Sequence, residues 1–280
     1  MPVDQALVDE AIAAFNAVVV GPLKDGGQKA VRLVTVGQDQ RVLKVIQLGQ
    51  TSPESLQRAS REVDLLQSID SPNVVRAASD LILLRDPPEG AAWLEELLDG
   101  DDLADNVGAA WDCASAVAMG REVAAGLAEL HDRRVVHRDL SSHNIRRRAD
   151  GTYVVMDPGY ARHELLPPIT IAGHPGTYGF MSPEHLSPLP AGPTAFSDVF
   201  CVGILLYLAL TGDVPIRYEG DPHDYVNRLK PVQYRDLTDI RSDLPDELVG
   251  IVRRCLHRQP ARRYRHAREL AGALAEVVCP

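Results

Sequence analysis

The fold of this chain is decided by the stretch Val135-Val136-His137-Arg138-Asp139-Leu140-Ser141-Ser142-His143-Asn144. Two β-branched residues precede His-Arg-Asp-Leu, and an Asn follows the Asp by five positions. A chance match to several fixed residue types at fixed offsets is rare in a chain of this length. An Asp in such a loop can accept a proton from an attacking hydroxyl group, and the Asn can hold a metal ion beside it. The stretch therefore predicts a reactive loop that needs supporting residues elsewhere in the chain.

Length and composition restrict the class of protein. With 280 residues, 45% of them hydrophobic and 24% charged, the chain is typical of soluble globular proteins and long enough for two lobes. A net charge of −10 argues against a nucleic-acid-binding surface, whereas nucleotide phosphates need only local positive charge. The N-terminus lacks a basic start, and the longest apolar run, Val199–Leu210, is too short to span a membrane. We expect a cytoplasmic protein that binds neither nucleic acid nor membrane.

The four cysteines have no paired spacing such as Cys-x-x-Cys. This pattern favours a reduced, intracellular chain in which the thiols serve as small core residues. The residues concerned are Cys113, Cys201, Cys255 and Cys279.

Hydrophobic periodicity divides the chain into an N-terminal helical extension (1–17), a small lobe (18–98) and a large lobe (99–280). The small lobe is predicted to contain one helix, capped by Ser52 or Ser55 and ending near Ser68. Its predicted strands are Val18–Lys24, Ala30–Val36, Arg41–Leu48, Val74–Leu84 and Ala92–Leu98. The large lobe is predicted to be mainly helical, with helices at Trp111–Asp132, Ser197–Thr211, Tyr225–Leu229, Asp246–His257 and Ala267–Val278 and a strand at Tyr153–Met156.

Lys44 is one of only four lysines in the chain, and it lies in an apolar strand. A compact ammonium can pair with phosphate oxygens and with a carboxylate from a neighbouring helix. The alternative is an edge lysine that faces solvent and protects the strand. Glu62 follows eighteen residues later on the predicted helix, beside an apolar stripe, and is the candidate carboxylate.

The stretch around Asp139 resembles the catalytic loop of eukaryotic-like (Hanks-type) serine/threonine protein kinases. Asp157-Pro158-Gly159 resembles the Asp-Phe-Gly motif of that family, and the run 176–184 resembles its Gly-Thr-x-x-Tyr-Met-Ala-Pro-Glu segment. The resemblance covers about Val18 to Ala275 and keeps the family's motif order. It implies an α+β, bilobal protein-kinase-like fold, with a small five-stranded antiparallel lobe and a larger, mainly helical lobe.

The resemblance also implies roles for the polar residues. ATP and Mg²⁺ would bind between the lobes, with the Lys44–Glu62 ion pair orienting the phosphates. Asn144 and Asp157 would hold the metal, and Asp139 would accept the proton of the substrate hydroxyl group.

Further residues would bind the nucleotide. The backbone of Glu96 and Leu98 would bond the adenine edge, and Asp102 would bond the ribose. Glu95 would occupy the gatekeeper position, where a buried carboxylate is costly unless it is paired.

The glycine-rich loop departs from the family pattern. Only Gly26 falls on a family glycine position, and Val31 falls on the valine that would cover the adenine. Lys24 and Lys29 replace the other two glycines, so the loop loses conformational freedom and gains positive charge.

Structural roles are implied for residues outside the reactive loop. Glu184 would pair with Arg263. Asp198 would cap the buried helix beneath the loop; the alternative is that Asp198 is only an ordinary helix cap, and both roles can hold together. His137 would be structural, and Thr177 would help position the loop.

Two departures leave alternative functions open. Ser141 stands where serine/threonine kinases have a lysine that neutralises the transferring phosphoryl group, and Pro158 replaces the Phe of Asp-Phe-Gly. The leading hypothesis is an active serine/threonine kinase, because all five polar residues of the implied mechanism are kept, and the run 176–184 favours a protein substrate. The alternatives are a pseudokinase that acts as a nucleotide-binding scaffold, and a kinase-fold enzyme that acts on a small molecule.

Arg138, next to Asp139, predicts a regulatory contact. A phosphate on the activation segment would dock against its guanidinium, with Thr170 as the first candidate for modification and Thr177 as the second. Mass spectrometry of the protein expressed as wild type and as Asp139→Asn is expected to find this phosphate in the wild type. Absence of phosphate from residues 160–180 in both samples would contradict the prediction.

Overall fold

Five antiparallel strands with alternating side chains build the smaller of two units in this chain. The computed structural model describes residues 3–23, 29–48, 53–158, 162–163, 177–187 and 192–280. The smaller unit comprises residues 1–70 and 75–98, and the larger unit comprises residues 71–74 and 99–280. The elements of the smaller unit are α1 (Gln5–Ala14), β1 (Ala17–Pro22), β2 (Lys29–Val36), β3 (Asp39–Gln47), α2 (Pro53–Ser68), β4 (Ile82–Leu84) and β5 (Gly90–Glu96).

The sheet has the order β1-β2-β3-β5-β4, and a helix packs on each of its faces. Because successive side chains of a strand point to opposite faces, Leu43 and Val45 lie on one face and Lys44 and Ile46 on the other. Helix α1 covers the first face with three buried residues, and α2 covers the second. The α1 residues are Leu7, Val8 and Ala11.

The predicted strand Val74–Leu84 is wrong for most of its length. Only Ile82–Leu84 pairs as a strand with β5. The first residue of the predicted strand, Val74, belongs to the larger unit and forms an isolated bridge there with Val155. Asn73 strengthens this contact, because its side chain donates to the carbonyl of Tyr153 over 2.9 Å. The segment predicted as one strand therefore begins in the larger unit and ends in the sheet of the smaller unit.

The start of α2 also differs from the prediction. The helix begins at Pro53, a residue type suited to a first helical turn because it lacks the N–H that would be unsatisfied there. Ser55 lies inside the helix and is not its cap, and Ser52 lies outside the described residues.

The larger unit is mainly helical and surrounds one apolar helix. Helix α5 is buried from Ser197 to Leu210 and packs against α4, α7 and α8. Gly203 permits the close approach of α7, since a Cβ at this position would lie 2.6 Å from the Cβ of Cys255. The elements are β6 (Asp101–Asp102), α3 (Leu103–Asn106), α4 (Cys113–Asp132), β7 (Val135–Val136), β8 (Ile145–Arg147), β9 (Tyr153–Val155), β10 (Arg162–His163), α5 (Ala195–Thr211), α6 (Pro222–Leu229), α7 (Asp246–Cys255) and α8 (Ala267–Ala275).

The expectation that all four cysteines are unpaired core thiols is wrong for two of them. Cys113 and Cys279 form a disulfide, with Cα atoms 5.7 Å apart. The pairing was not visible in the sequence because 166 positions separate the two residues, and only the packing of α8 against α4 brings them together. Cys201 and Cys255 are free and buried, and burial raises the pKa of both thiols.

A membrane-spanning helix is not found in the described part of the chain, where every helix is too short or too polar to cross a bilayer.

Helix α1 lies outside the predicted small lobe but contributes to its core, which leads to a prediction. Leu7→Ala is expected to lower the free energy of unfolding of the smaller unit by about 2–5 kcal/mol, because it leaves a cavity against the sheet. The exposed α1 residue Gln5 serves as the control, and Gln5→Ala should cost about 0.5 kcal/mol or less. Urea denaturation in a Trp111→Phe background measures the effect, since Trp93 of the smaller unit then remains as the fluorophore. Equal losses in the two variants would contradict a core role for α1.

Candidate active site

The prediction that Asp198 caps the buried helix is wrong, because Thr194 is the N-cap of α5 and Asp198 lies inside its first turn. The carboxylate of Asp198 binds the backbone of the predicted catalytic loop instead. It accepts the backbone N–H of His137 over 2.8 Å and that of Arg138 over 3.0 Å. Asp198 is fully buried, and burial alone would raise its pKa. The hydrogen bonds from His131 and the loop outweigh burial, so the pKa lies below its usual value and the group is a carboxylate at neutral pH.

His131, at the end of α4, completes this anchor and was not predicted from the sequence. Its Nδ1 accepts the backbone N–H of Ala267 at 3.2 Å, so the proton of the neutral ring is on Nε2. Nε2 then donates to Asp198 over 2.9 Å. Helices α4, α5 and α8 therefore converge on one carboxylate.

Asp139 lies partly buried in this loop. Its Oδ1 accepts a hydrogen bond from the hydroxyl group of Thr177 over 3.1 Å. Burial raises the pKa of Asp139, and the carboxylate of Asp157 adds to the rise, while His137, Thr177 and His185 oppose it. A higher pKa makes the carboxylate a better proton acceptor at neutral pH.

The loop backbone is held in an uncommon conformation. Arg138 has φ of 73° and Asp157 has φ of 54°, both in the left-handed region that non-glycine residues seldom occupy. The carbonyl of Arg138 accepts a hydrogen bond from Nε2 of His185 at 2.9 Å. His137 Nε2 donates to the carbonyl of Met156 over 3.0 Å, which joins the loop to the segment before Asp157.

A backbone hydrogen bond joins Asn144, one predicted metal ligand, to the residue before Asp157, the other predicted ligand. The N–H of Met156 donates to the carbonyl of Asn144 over 2.9 Å. The side-chain nitrogen of Asn144 donates to the carbonyl of Asp139 over 2.7 Å, which leaves its amide oxygen to face another partner. Carboxylate and amide oxygens are hard donors, so these two residues fit Mg²⁺.

Glu184 and Arg263 form the ion pair that the sequence predicted. Two contacts of 2.9 and 3.0 Å join the guanidinium to the carboxylate, and Ser197 donates to Glu184 over 3.1 Å. Burial raises the pKa of Glu184, but Arg263 together with hydrogen bonds from Ser182 and Ser197 outweighs burial, and the pKa lies below its usual value. Arg263 also donates to three backbone carbonyls, those of Phe196, His257 and Arg258.

The smaller unit holds Lys44 in a cluster of charged residues. Its Nζ lies 2.9 Å from Oε1 of Glu95 and 4.0 Å from Oε1 of Glu62. Glu62 is also contacted by Lys29, whose Nζ lies 2.8 and 3.0 Å from its two carboxylate oxygens. Lys44, Glu62 and Glu95 are all buried, so the costly carboxylate at position 95 is paired. The contribution of Lys29 to this cluster was missed at the sequence level.

The predicted nucleotide contacts lie in both units. The backbone N–H of Arg76 donates to the carboxylate of Glu96 over 2.9 Å. Leu98 is buried. Val31 is half-buried and pairs with Lys44 in the sheet. In the larger unit, the guanidinium of Arg146 donates a hydrogen bond to the carboxylate of Asp102 over 2.8 Å.

The turn before Asp102 requires glycine. Gly100 has φ of 80°, and a Cβ there would overlap the carbonyl oxygen of Arg147. Two predicted site residues, Gly26 of the glycine-rich loop and Thr170 of the activation segment, lie outside the described residues.

The Glu184–Arg263 ion pair is expected to stabilise the fold of the larger unit. Arg263→Met leaves Glu184 without its cation and is expected to lower the free energy of unfolding by about 3–5 kcal/mol. The adjacent, exposed Arg262 is the matched control, and Arg262→Met should cost about 0.5 kcal/mol or less. Urea denaturation followed by circular dichroism measures both. A loss for Arg263→Met no larger than that for Arg262→Met would contradict the role of the pair.

Comparison with known proteins agrees with this arrangement. Residues 25–272 match the family model described as the protein kinase domain. The chain is 29% identical over 273 residues to the serine/threonine-protein kinase pkn2 of Myxococcus xanthus, covering 92% of this chain and 32% of that protein. It is 28% identical over 224 residues to the serine/threonine-protein kinase DCLK3 of Mus musculus, covering 78% of this chain and 27% of that protein.

A third relative is closer in length. The mitogen-activated protein kinase kinase 7 of Arabidopsis thaliana is 25% identical over 220 residues, covering 77% of this chain and 70% of that protein. The chain spans a third or less of the first two relatives. The family match confirms the resemblance and the α+β kinase fold predicted from the sequence. This chain belongs to the protein kinase family.

Proposed function

We propose that this chain is an ATP- and magnesium-dependent serine/threonine protein kinase, which transfers the γ-phosphoryl group to a hydroxyl group of a protein. The observation that carries the proposal is the position of Asp139. Its loop is held by the buried Asp198, its carboxylate receives Thr177, and its pKa is raised. A scaffold that only binds nucleotide has no need of a positioned proton acceptor.

Asp139 would take the proton of the substrate hydroxyl group as the hydroxyl oxygen bonds to the γ-phosphorus of ATP and the bond from that phosphorus to the departing ADP breaks. Because burial raises its pKa, the carboxylate holds that proton more readily than an exposed aspartate would. The hydrogen bond from Thr177 fixes the orientation of the carboxylate before the substrate arrives.

Asn144 and Asp157 are the residues that would hold Mg²⁺, and Lys44 would bind the nucleotide phosphates. The metal would supply positive charge to the phosphate oxygens when bound. Asn144 is fixed by its bond to the carbonyl of Asp139, so the same loop positions the proton acceptor and one metal ligand.

Ser141 favours a slow enzyme. Serine carries no positive charge, and Ser141 is also buried, so this position presents no cation to the transferring phosphoryl group. Stabilisation of the developing charge in the transition state is commonly a large contribution to catalysis, and here it would rest on fewer positive groups.

The scaffold alternative is favoured by the same serine and by Pro158. Both residues stand in place of family residues near the phosphates or the metal. Enzymes that act on a small molecule are less favoured, because the run 176–184 resembles the segment that accompanies protein substrates.

The partner that we propose is a protein with an accessible serine or threonine. The net charge of −10 favours basic segments as substrates. We propose a cytoplasmic location, as the sequence predicted, although the Cys113–Cys279 disulfide is of a kind more common in oxidising compartments.

Incubation with labelled ATP, Mg²⁺ and a generic basic protein tests the proposal. Asp139→Asn is expected to lower kcat by about 10²–10⁴-fold, because the substrate hydroxyl group loses its proton acceptor. Lys44→Met should also abolish most transfer, through loss of phosphate binding. Asp150→Asn, a substitution on an exposed turn of the larger unit, should leave transfer unchanged.

Label transfer that survives both Asp139→Asn and Lys44→Met would rule out the assigned mechanism. Binding of nucleotide by the wild type without any transfer would favour the scaffold instead.

A further inference from the structure

The charged cluster of the smaller unit pairs its residues differently from the ion pair that family resemblance implies. The expected pair joins a strand lysine to a helix glutamate, here Lys44 and Glu62. Of the two glutamates in the cluster, Glu95 is nearer to Lys44, at 2.9 Å against 4.0 Å for Glu62. Glu62 in turn receives Lys29 at 2.8 and 3.0 Å, one distance to each of its oxygens.

Strand register explains why these residues meet. Lys44 pairs with Val31 on β2 and with Trp93 on β5, and Lys29 pairs with Ile46. Positions two apart on a strand share a face, so Lys29, Lys44 and Glu95 all lie on the face covered by α2. Glu62 approaches that face from α2.

Trp93 fixes Glu95 and touches both pairs. Its Nε1 donates over 2.9 Å to Oε1 of Glu95, the same oxygen that contacts Lys44. The ring also has Nζ of Lys29 at 5.4 Å from its centroid, within the range of a cation–π interaction. Trp93 is fully buried, so this arrangement has little freedom to move.

Because these charged residues are buried, each of them needs a partner of opposite charge. Lys44, Glu62 and Glu95 are exposed by only 7%, 4% and 3%. Charges at such positions are retained only where opposite charges and hydrogen bonds offset their lost hydration. With Glu62 neutralised by Lys29, the cluster can keep Glu95 as the partner of Lys44.

We propose that Glu95 is the positioning residue that orients Lys44 for the nucleotide phosphates, and that Lys29 neutralises Glu62. The first part rests on the proposed kinase function, whereas the pairing itself does not. Glu95 belongs to the same sheet as Lys44, so the contact between these two residues does not depend on the position of α2. Position 95 thereby takes over a role that the family resemblance assigns to Glu62.

Lysine-selective NMR tests the pairing without nucleotide. The chain has four lysines, so protein labelled with [ε-¹³C]lysine gives few resonances, and Lys→Met substitutions assign them. Glu95→Gln keeps an oxygen acceptor for Trp93 but removes the charge. It is expected to move the Lys44 resonance further than Glu62→Gln does, and Glu62→Gln should move the Lys29 resonance further than Glu95→Gln does.

Lys230, exposed at the end of α6, is the control resonance and should stay in place in both variants. The reverse order of shifts for Lys44 would overturn the pairing. If Glu95→Gln is too unstable to study, Glu95→Asp gives the same test, because a shorter carboxylate should disturb Lys44 and leave Lys29 in place.

Kinetics test the positioning role. Glu95→Gln should raise KM for ATP about tenfold, as expected for the loss of one charge-assisted contact, and should change kcat less. Glu62→Gln should raise KM by no more than about threefold, and Glu95→Asp should recover part of the loss. A larger KM effect from Glu62→Gln than from Glu95→Gln would overturn the role of Glu95.

The two proposals fail in different ways. A wild type that neither binds ATP nor transfers phosphate contradicts the kinase function and the orienting role of Glu95. The NMR shifts would still decide the pairing of Lys44 and Glu95 in that case.

Discussion

The larger unit depends on one buried carboxylate. Asp198 binds two successive backbone N–H groups of the catalytic loop, at His137 and Arg138, and is itself held by His131. Because an unpaired buried charge would be costly, the loop cannot leave this carboxylate without destabilising the helices around it. The same contacts hold Arg138 in its left-handed conformation, so a buried helix keeps a strained loop in place.

In the smaller unit, a cluster of buried charged residues holds Lys44, as Asp198 holds the loop of the larger unit. Lys29, Lys44 and Glu95 share one face of the sheet, Glu62 reaches that face from α2, and Trp93 fixes the carboxylate of Glu95. Family resemblance predicts the pair of Lys44 with Glu62, but the geometry supports Glu95 as the nearer partner of Lys44. The carboxylate of Glu95 at the gatekeeper position is paired with Lys44, whereas an unpaired carboxylate buried there would lower the stability of the fold.

Departures from the family pattern lie where phosphate chemistry would take place, while the supporting framework is intact. Glu184 and Arg263 keep their ion pair, and Asp198 keeps the loop. Ser141 and Pro158 change residues that would act on the transferring group or beside the metal. A retained framework with altered reacting positions agrees with a kinase of reduced rate and also with a scaffold, and Asp139 is what favours the enzyme.

Residue spacing and periodicity were enough to predict the protein kinase family and the order of most elements, because both depend on local sequence. The sequence also predicted the Glu184–Arg263 pair, since both residues stand in recognisable motifs. Local sequence did not show which charges meet, because strand register and the packing of α2 on the sheet bring Lys29 to Glu62. Helix packing likewise joins Cys113 to Cys279 across 166 positions, a contact that no local pattern could indicate.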